Sequence, residues 1–440
     1  MIDPMLGVAN RSPAQNATVG GSRSEELERA PGDHRLRWIG SLVGLGVALS
    51  SATQLRLLPS IGLGELSLLG AAGLLIVDRG WRLEQTRRTP VSRFFGMYIV
   101  IGIVASIPAL LFGYQSDGFL RDFVALAFDA LIVAAITFHS RRKMLIERAL
   151  RAYMWCFTVP NLVLLALSFA TGSVAGIQLY DGIAGVYTRF LGWSQNANQL
   201  ATGAAAALIF GLALLRKQRS IVNALLVVSA IAIGYATRSD GLILALLAGG
   251  ILGLRSARRL PRTSATRTVL DVVTMAVAGL ALVRIGDLIR YADGVRNSGG
   301  QGSDRMVLWA NCGRRIIQSP LVGQGFGPHS WNPAYKLTSM QECHNSVLDI
   351  ATIAGLPMAV FFVWMFWNCW QRRTVKGSEI ALIVMFVVVL FSNMTRHPAL
   401  WLVLMWVVGG SEPVTVQRKV LADQFADALR LRSRERTRTS

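Results

Sequence analysis

Six short polar segments, set between long apolar runs, hold the residue types in this chain that could do chemistry. The first carries Arg189, Gly192, Trp193, Asn196, Asn198 and Gln199. The second is the tight turn Thr237, Arg238, Ser239, Asp240, Gly241. The third holds Arg305, Trp309 and Cys312, spaced i, i+4 and i+7, which puts them on one face of a helix. The fourth is Pro320, Gly323, Gly325 and Gly327; the fifth is His344 and Asn345; the sixth is Arg396, His397 and Pro398. Arginine binds phosphate and diphosphate through bidentate, charge-assisted hydrogen bonds. A histidine of ordinary pKa near 6.5 can take a proton close to neutral pH. Asn345 and Asp349 are i, i+4 neighbours, so an acid follows His344 by little more than a turn. Plainer explanations stand beside these. An arginine at a membrane surface can reach lipid headgroups or pair with a local acid such as Asp240, and a histidine at a helix end is often a hydrogen-bonded surface group. No metal or other cofactor is expected: there is no HExxH, no paired CxxC and no DxD in these segments. The glycine run is not a dinucleotide fingerprint, because no βαβ pattern surrounds it. It reads as a turn whose backbone passes close to a ligand or a helix.

The elements that must position these residues are apolar helices. Hydrophobic residues make up 52% of the chain and charged ones 16%, with mean hydropathy +0.44, against roughly 25% charged in soluble domains. Runs such as 94–113 and 123–138 carry almost no charge, and runs of roughly 20 residues match a bilayer core. Backbone polar groups in lipid must pair internally, so these runs read as helices, and the lack of alternation argues against a barrel. Twelve helices fit, at about 37–55, 60–78, 94–113, 122–139, 152–171, 199–215, 221–236, 241–254, 268–285, 346–369, 379–394 and 398–411. The fold class is thus an all-α polytopic membrane protein of about 12 transmembrane helices, with one sizeable outer loop containing a short helix. Basic clusters at 79–93, 141–151, 216–219, 255–267 and 372–376 mark the cytoplasmic loops. The six polar segments then lie on the other face, where arginine runs against the positive-inside trend. Residues 1–35 read as a disordered cytoplasmic tail without a signal peptide. Residues 36–411 form the membrane domain, 286–345 its large outer loop, and 412–440 a basic cytoplasmic tail. Within the loop, Ser303 or Asp304 can cap a helix running to about Gln318. The net charge of +20 fits basic inner loops and an anionic leaflet, not nucleic acid.

The order Arg189, Asn198, the Arg238 turn, Arg305 with Trp309, Pro320-x-x-Gly-x-Gly-x-Gly, and His344-Asn345 with Gly355 following resembles the O-antigen ligase and polymerase family of bacterial envelope glycosyltransferases. The resemblance covers about 180–400, and its most specific parts are the His-Asn pair and the glycine run. It implies an enzyme of the inner (plasma) membrane with its site facing the periplasm. Its donor is a glycan on undecaprenyl diphosphate, its acceptor a hydroxyl of a lipid or glycan, and its surroundings membrane lipids. Arg189, Arg238 and Arg305 are the implied diphosphate ligands and His344 the implied base, supported by Asn198, Asn345, Asp240, Trp309 and Arg396. One departure stands out. The family turn usually reads Ser-Arg-Gly, whereas here Arg238 precedes Ser239 and Asp240 follows it, which makes Asp240 a partner for Arg238. The modest outer loop leans towards a polymerase of surface or exopolysaccharide over a ligase. The rival from another class is a secondary transporter or flippase for a charged lipid or glycan, for which Asp129 is the intramembrane polar group. Finally, Cys312 and Cys343 share the outer loop while Cys156 and Cys369 fall near cytoplasmic helix ends. The outer two either form a disulfide or pack as two small apolar thiols.

Overall fold

The computed structural model describes residues 32–58, 61–78, 89–111, 116–139, 141–181, 189–218, 220–257, 304–326, 343–375, 378–392 and 395–409. Among these the chain forms twelve α-helices and three two-stranded antiparallel pairs. The helices of the first half are α1 (Gly32–Ser50), α2 (Leu63–Val77), α3 (Pro90–Leu111), α4 (Ser116–Thr137), α5 (Arg142–Leu167) and α6 (Ala197–Lys217). Those of the second half are α7 (Ile221–Ala236), α8 (Asp240–Ala257), α9 (Asp304–Gln318), α10 (Ser346–Gln371), α11 (Ser378–Phe391) and α12 (Pro398–Gly409). The strands are β1 (Arg56–Leu58) with β2 (Ile61–Gly62), β3 (Ser173–Val174) with β4 (Ile177–Gln178), and β5 (Tyr180–Asp181) with β6 (Arg189–Phe190).

The described residues are mostly helical, and among them four helices are long and apolar enough to cross a membrane: Pro90–Pro108, Arg142–Leu167, Ala197–Lys217 and Ser346–Gln371. These helices suggest a membrane protein. Their outer faces agree: Val100, Val104 and Ile107 on α3, and Val360, Trp364 and Trp367 on α10, are exposed, as lipid-facing stripes are. The interior is aromatic, with Phe94, Tyr98, Phe362 and Trp401 fully buried and their rings in contact. Lipid gives apolar helices little reason to associate, so close approach matters more. Gly40 and Gly44 supply it between α1 and α5. A Cβ on Gly40 would lie 2.8 Å from the Arg148 Cβ, and one on Gly44 would strike the Ala149 carbonyl.

Several boundaries differ from the sequence expectation, those of α1 and α5 among them. Helix α1 starts at Gly32, so the last four residues assigned to the 1–35 tail are helical and Leu36 is already buried. Helix α5 starts at Arg142, ten residues before the expected 152. Arg142, Lys143, Arg148 and Arg151 therefore ride on helical turns rather than in a loop. A hydropathy window stops at charge, whereas a helix can continue past the apolar zone with its long basic side chains reaching outwards. As a result Cys156 lies well inside α5 rather than near its end. The expected helix at 268–285, residues 1–31 and 412–440, and most of the loop 286–345 fall outside the described residues.

Helix ends gather in two groups. At one end, Lys217 Nζ on α6 lies 2.8 Å from Glu147 on α5, Arg373 beyond α10 faces Glu379 on α11, and Thr374 donates its N–H to Val407 O on α12. The opposite end joins the starts of α4, α6, α8, α10 and α12 to the ends of α7 and α11, and the polar segments of the sequence collect there.

Candidate functional site

The β5–β6 pair delivers Arg189 to this end of the bundle, with Arg189 in register with Asp181. Arg189 Nε donates to the Thr237 carbonyl at 3.1 Å, and an Nη donates to Asn198 Oδ1 at 2.7 Å. Ser239 Oγ also donates to Asn198 Oδ1, at 3.1 Å. Asn198 sits in the first turn of α6 because Asn196 caps that helix, accepting from the Asn198 N–H at 2.8 Å. The Arg189–Asn198 segment and the Thr237–Ser239 turn, 48 residues from Arg189 to Thr237, thus fix one guanidinium plane. The loop is anchored in turn. Gln54 donates to the carbonyls of Gln178, Gly192 and Ser194, and buried Trp193 donates Nε1 to Ser51 Oγ. Gly192 turns with φ 56° where a Cβ would run into Asn161 Oδ1.

Arg238 and His344 have φ of 50° and 49°, and only Ala175 joins them among described non-glycine residues with positive φ. Left-handed backbone costs a non-glycine residue roughly 1–2 kcal/mol, and such strain tends to persist at functional sites. Both residues border the end of α11. Gly241 stands where a Cβ would lie 2.8 Å from the Phe391 Cβ, and Ser346 Oγ donates to Ser392 O at 2.8 Å. His344 immediately precedes Asn345, the cap of α10, whose Oδ1 accepts from the N–H groups of Val347 and Leu348. Asp349 lies fully buried in the first turn.

The glycine run is tied to an interruption in α10. Gly355 has φ 83° and ψ 167°, so the ladder breaks there. Carbonyls exposed by the break accept from the incoming loop: Gln324 N–H to Thr352 O at 2.7 Å and Gly325 N–H to Ile353 O at 2.9 Å. In return Leu356 N–H donates to Pro320 O at 2.8 Å. A Cβ on Gly323 would strike the Ile353 carbonyl, and one on Gly355 the Leu321 carbonyl. The run therefore passes close to a helix, one of the two roles open to it from sequence. Beyond it, Phe326 enters the bundle, donating its N–H to Ser106 Oγ and packing its ring near Tyr98 and Phe123.

Arg396 is engaged differently from Arg189. It forms a 2.8 Å ion pair with Asp122, which is fully buried in α4. Tyr98 lies within electrostatic reach of Asp349 and of both members of that pair. The expected supporting arginine is thus a bundle-internal one. Asp122 escaped the sequence reading; its only signal was an acid at the edge of an apolar run. Thr237 was named with its turn but given no role, because its backbone oxygen is what serves.

Cys312 and Cys343 are joined in a disulfide with Cα atoms 6.2 Å apart. Of the two readings open from sequence, the bond is the one present. It ties α9 to the residue before His344, and α9 packs on α10. Helix α9 spans Asp304–Gln318 as the capping pattern indicated. Burial lowers the Arg315 guanidinium pKa from its usual value, and the Arg315 carbonyl accepts from Gln324 Nε2. Trp309 is half-buried on α9, with an indole N–H that finds no hydrogen-bond partner among the described residues. The side chains of Arg305 and Asp240, and Gly327, lie outside what is described. No group of three His, Cys, Asp or Glu side chains among the described residues could hold a metal ion. Comparison with known protein families and with curated proteins returns no match for this chain.

Proposed function

We propose that the protein is a membrane glycosyltransferase that moves a glycan from undecaprenyl diphosphate to an acceptor hydroxyl on the outer face of the inner membrane. The observation that carries this reading is the fixed Arg189 guanidinium, set by Asn198 and the Thr237 carbonyl next in chain to the strained Arg238, at the same end of the bundle as the strained His344. Preorganised cations are what a diphosphate leaving group needs. In the reaction the acceptor oxygen attacks the anomeric carbon and the bond from that carbon to the diphosphate oxygen breaks. Undecaprenyl diphosphate departs with its charge held by Arg189, Arg238 and Arg305, and the hydroxyl proton passes to the His344 imidazole. Orientation follows from charge. The end carrying Arg216, Lys217, Arg372 and Arg373 faces the cytoplasm by the positive-inside rule, and a disulfide at the other end suits an oxidising compartment.

Reconstitution into liposomes with lipid-linked repeat units tests the reading. A glycan ladder without further acceptor marks a polymerase of surface polysaccharide, the form favoured here. Product only on adding a separate lipid acceptor marks a ligase, and no product in either case overturns transfer. The second reading, transport of a charged lipid or glycan, draws on Asp129, 2% exposed within α4. Movement of labelled lipid across the bilayer, lost in Asp129→Asn while no glycan is transferred, would favour it.

A further inference from the structure

At the end of the bundle opposite the candidate site lies a cavity of about 480 Å³ between α5, α6, α11 and α12. Its rim carries four cations, Lys143 and Arg151 on α5 and Arg216 and Lys217 on α6, against one acid, Glu147. Its floor is apolar, made of side chains such as Ile209, Leu212, Ile380 and Trp406. Arg216 and Lys217 stand in the last turn of α6, where the helix dipole favours cations. Lys143 does not have that reason. It stands in the first turn of α5, the electropositive end, with no acid in that turn. Lys143, Arg216 and Lys217 are exposed at the rim, and Glu147 is already paired with Lys217. The cavity thus joins surplus positive charge to an apolar slot inside one opening.

We propose that this cavity binds an anionic phospholipid, the phosphate at the four-cation rim and part of an acyl chain along Ile209, Leu212 and Trp406. A basic rim between membrane helices on the cytoplasmic side is the electrostatic setting for anionic headgroups, and a volume of this order is that of ordinary ligand pockets, roughly 300–1,000 Å³. An inorganic anion uses the rim but not the slot; a zwitterionic lipid uses the slot but gains little from the rim. The inference needs the membrane placement of the chain and not its transferase activity.

Native mass spectrometry of the full-length protein, released from micelles with phosphatidylglycerol or phosphatidylcholine of the same chains, tests it. The expected result is retained phosphatidylglycerol, bound at least tenfold more tightly than phosphatidylcholine. Lys143→Gln with Arg216→Gln should cut phosphatidylglycerol retention about tenfold, and Ala213→Phe, which fills the slot, should cut it with the rim intact. A thermal melt of each variant confirms folding. Equal retention of both lipids, unchanged retention in folded variants, or full displacement by millimolar inorganic phosphate overturns the proposal. Loss of glycan transfer has no bearing on this readout.

Discussion

Arg189 shows why arginine and lysine differ at this site. Its Nε and an Nη point along two directions, to the Thr237 carbonyl and to Asn198 Oδ1, and a lysine has one nitrogen to offer. Hydrogen bonds to charged groups are each worth about 1.5–3 kcal/mol, so Arg189→Lys should cost at least tenfold in transfer rate. Equal rates for the two would reduce Arg189 to a headgroup anchor. His344 permits a cleaner separation of chemistry from stability. With φ at 49°, His344→Gly relieves backbone strain, so the variant should melt no lower than the parent while losing transfer. A variant that melts normally and transfers glycan at the parent rate would remove the imidazole from the mechanism. The sequence pattern offers no ligand set for a divalent ion, so transfer should survive chelation by EDTA. Loss with EDTA and recovery with added divalent ion would overturn the arginine-only treatment of the diphosphate.

At the scale of elements, the broken helix α10 does most of the positioning. Gly355 lies in a backbone region open essentially to glycine, where other residues cost of order 1–3 kcal/mol, and its Cβ would also meet the Leu321 carbonyl. Gly355→Ala should therefore lower thermal stability by several degrees and release the 320–326 segment, seen as faster amide exchange at Gln324 and Gly325. Unchanged exchange there would show that the α10 break does not hold the segment. Much of this was legible from residue type. Apolar runs gave α7 at 221–236 to the residue, and Asn345 before an apolar run marked the start of α10. The role of the glycine run was legible only as a close approach, because its partner, carbonyls freed by Gly355, requires the helix to break. Charge misled at α5: a basic stretch reads as a loop, yet its residues continue the helix. The Arg396–Asp122 pair was out of reach, since 274 residues separate its members and an isolated acid in an apolar run announces no partner.

Across the whole molecule, the ends of helices divide the labour. One end collects the fixed arginine, the strained histidine and the disulfide; the other collects basic side chains around an apolar cavity. The Cys312–Cys343 bond closes a loop of sequence separation 31, worth about 3–4 kcal/mol in the chain-entropy model. Cys312→Ser with Cys343→Ser should accordingly lower the melting temperature by several degrees and weaken transfer, since α9 and His344 lose their link. An unchanged melting temperature would make the bond incidental. The central claim, that this end of the bundle is a transferase site with His344 as its base, has its most direct test in one measurement. That measurement is the initial rate of glycan transfer from undecaprenyl diphosphate in liposomes, for the parent and for His344→Ala at equal reconstituted amounts. The account predicts product and released undecaprenyl diphosphate from the parent, and a fall of about 10²–10⁴-fold in the variant, the usual worth of a general base. A variant rate equal to the parent's would contradict it.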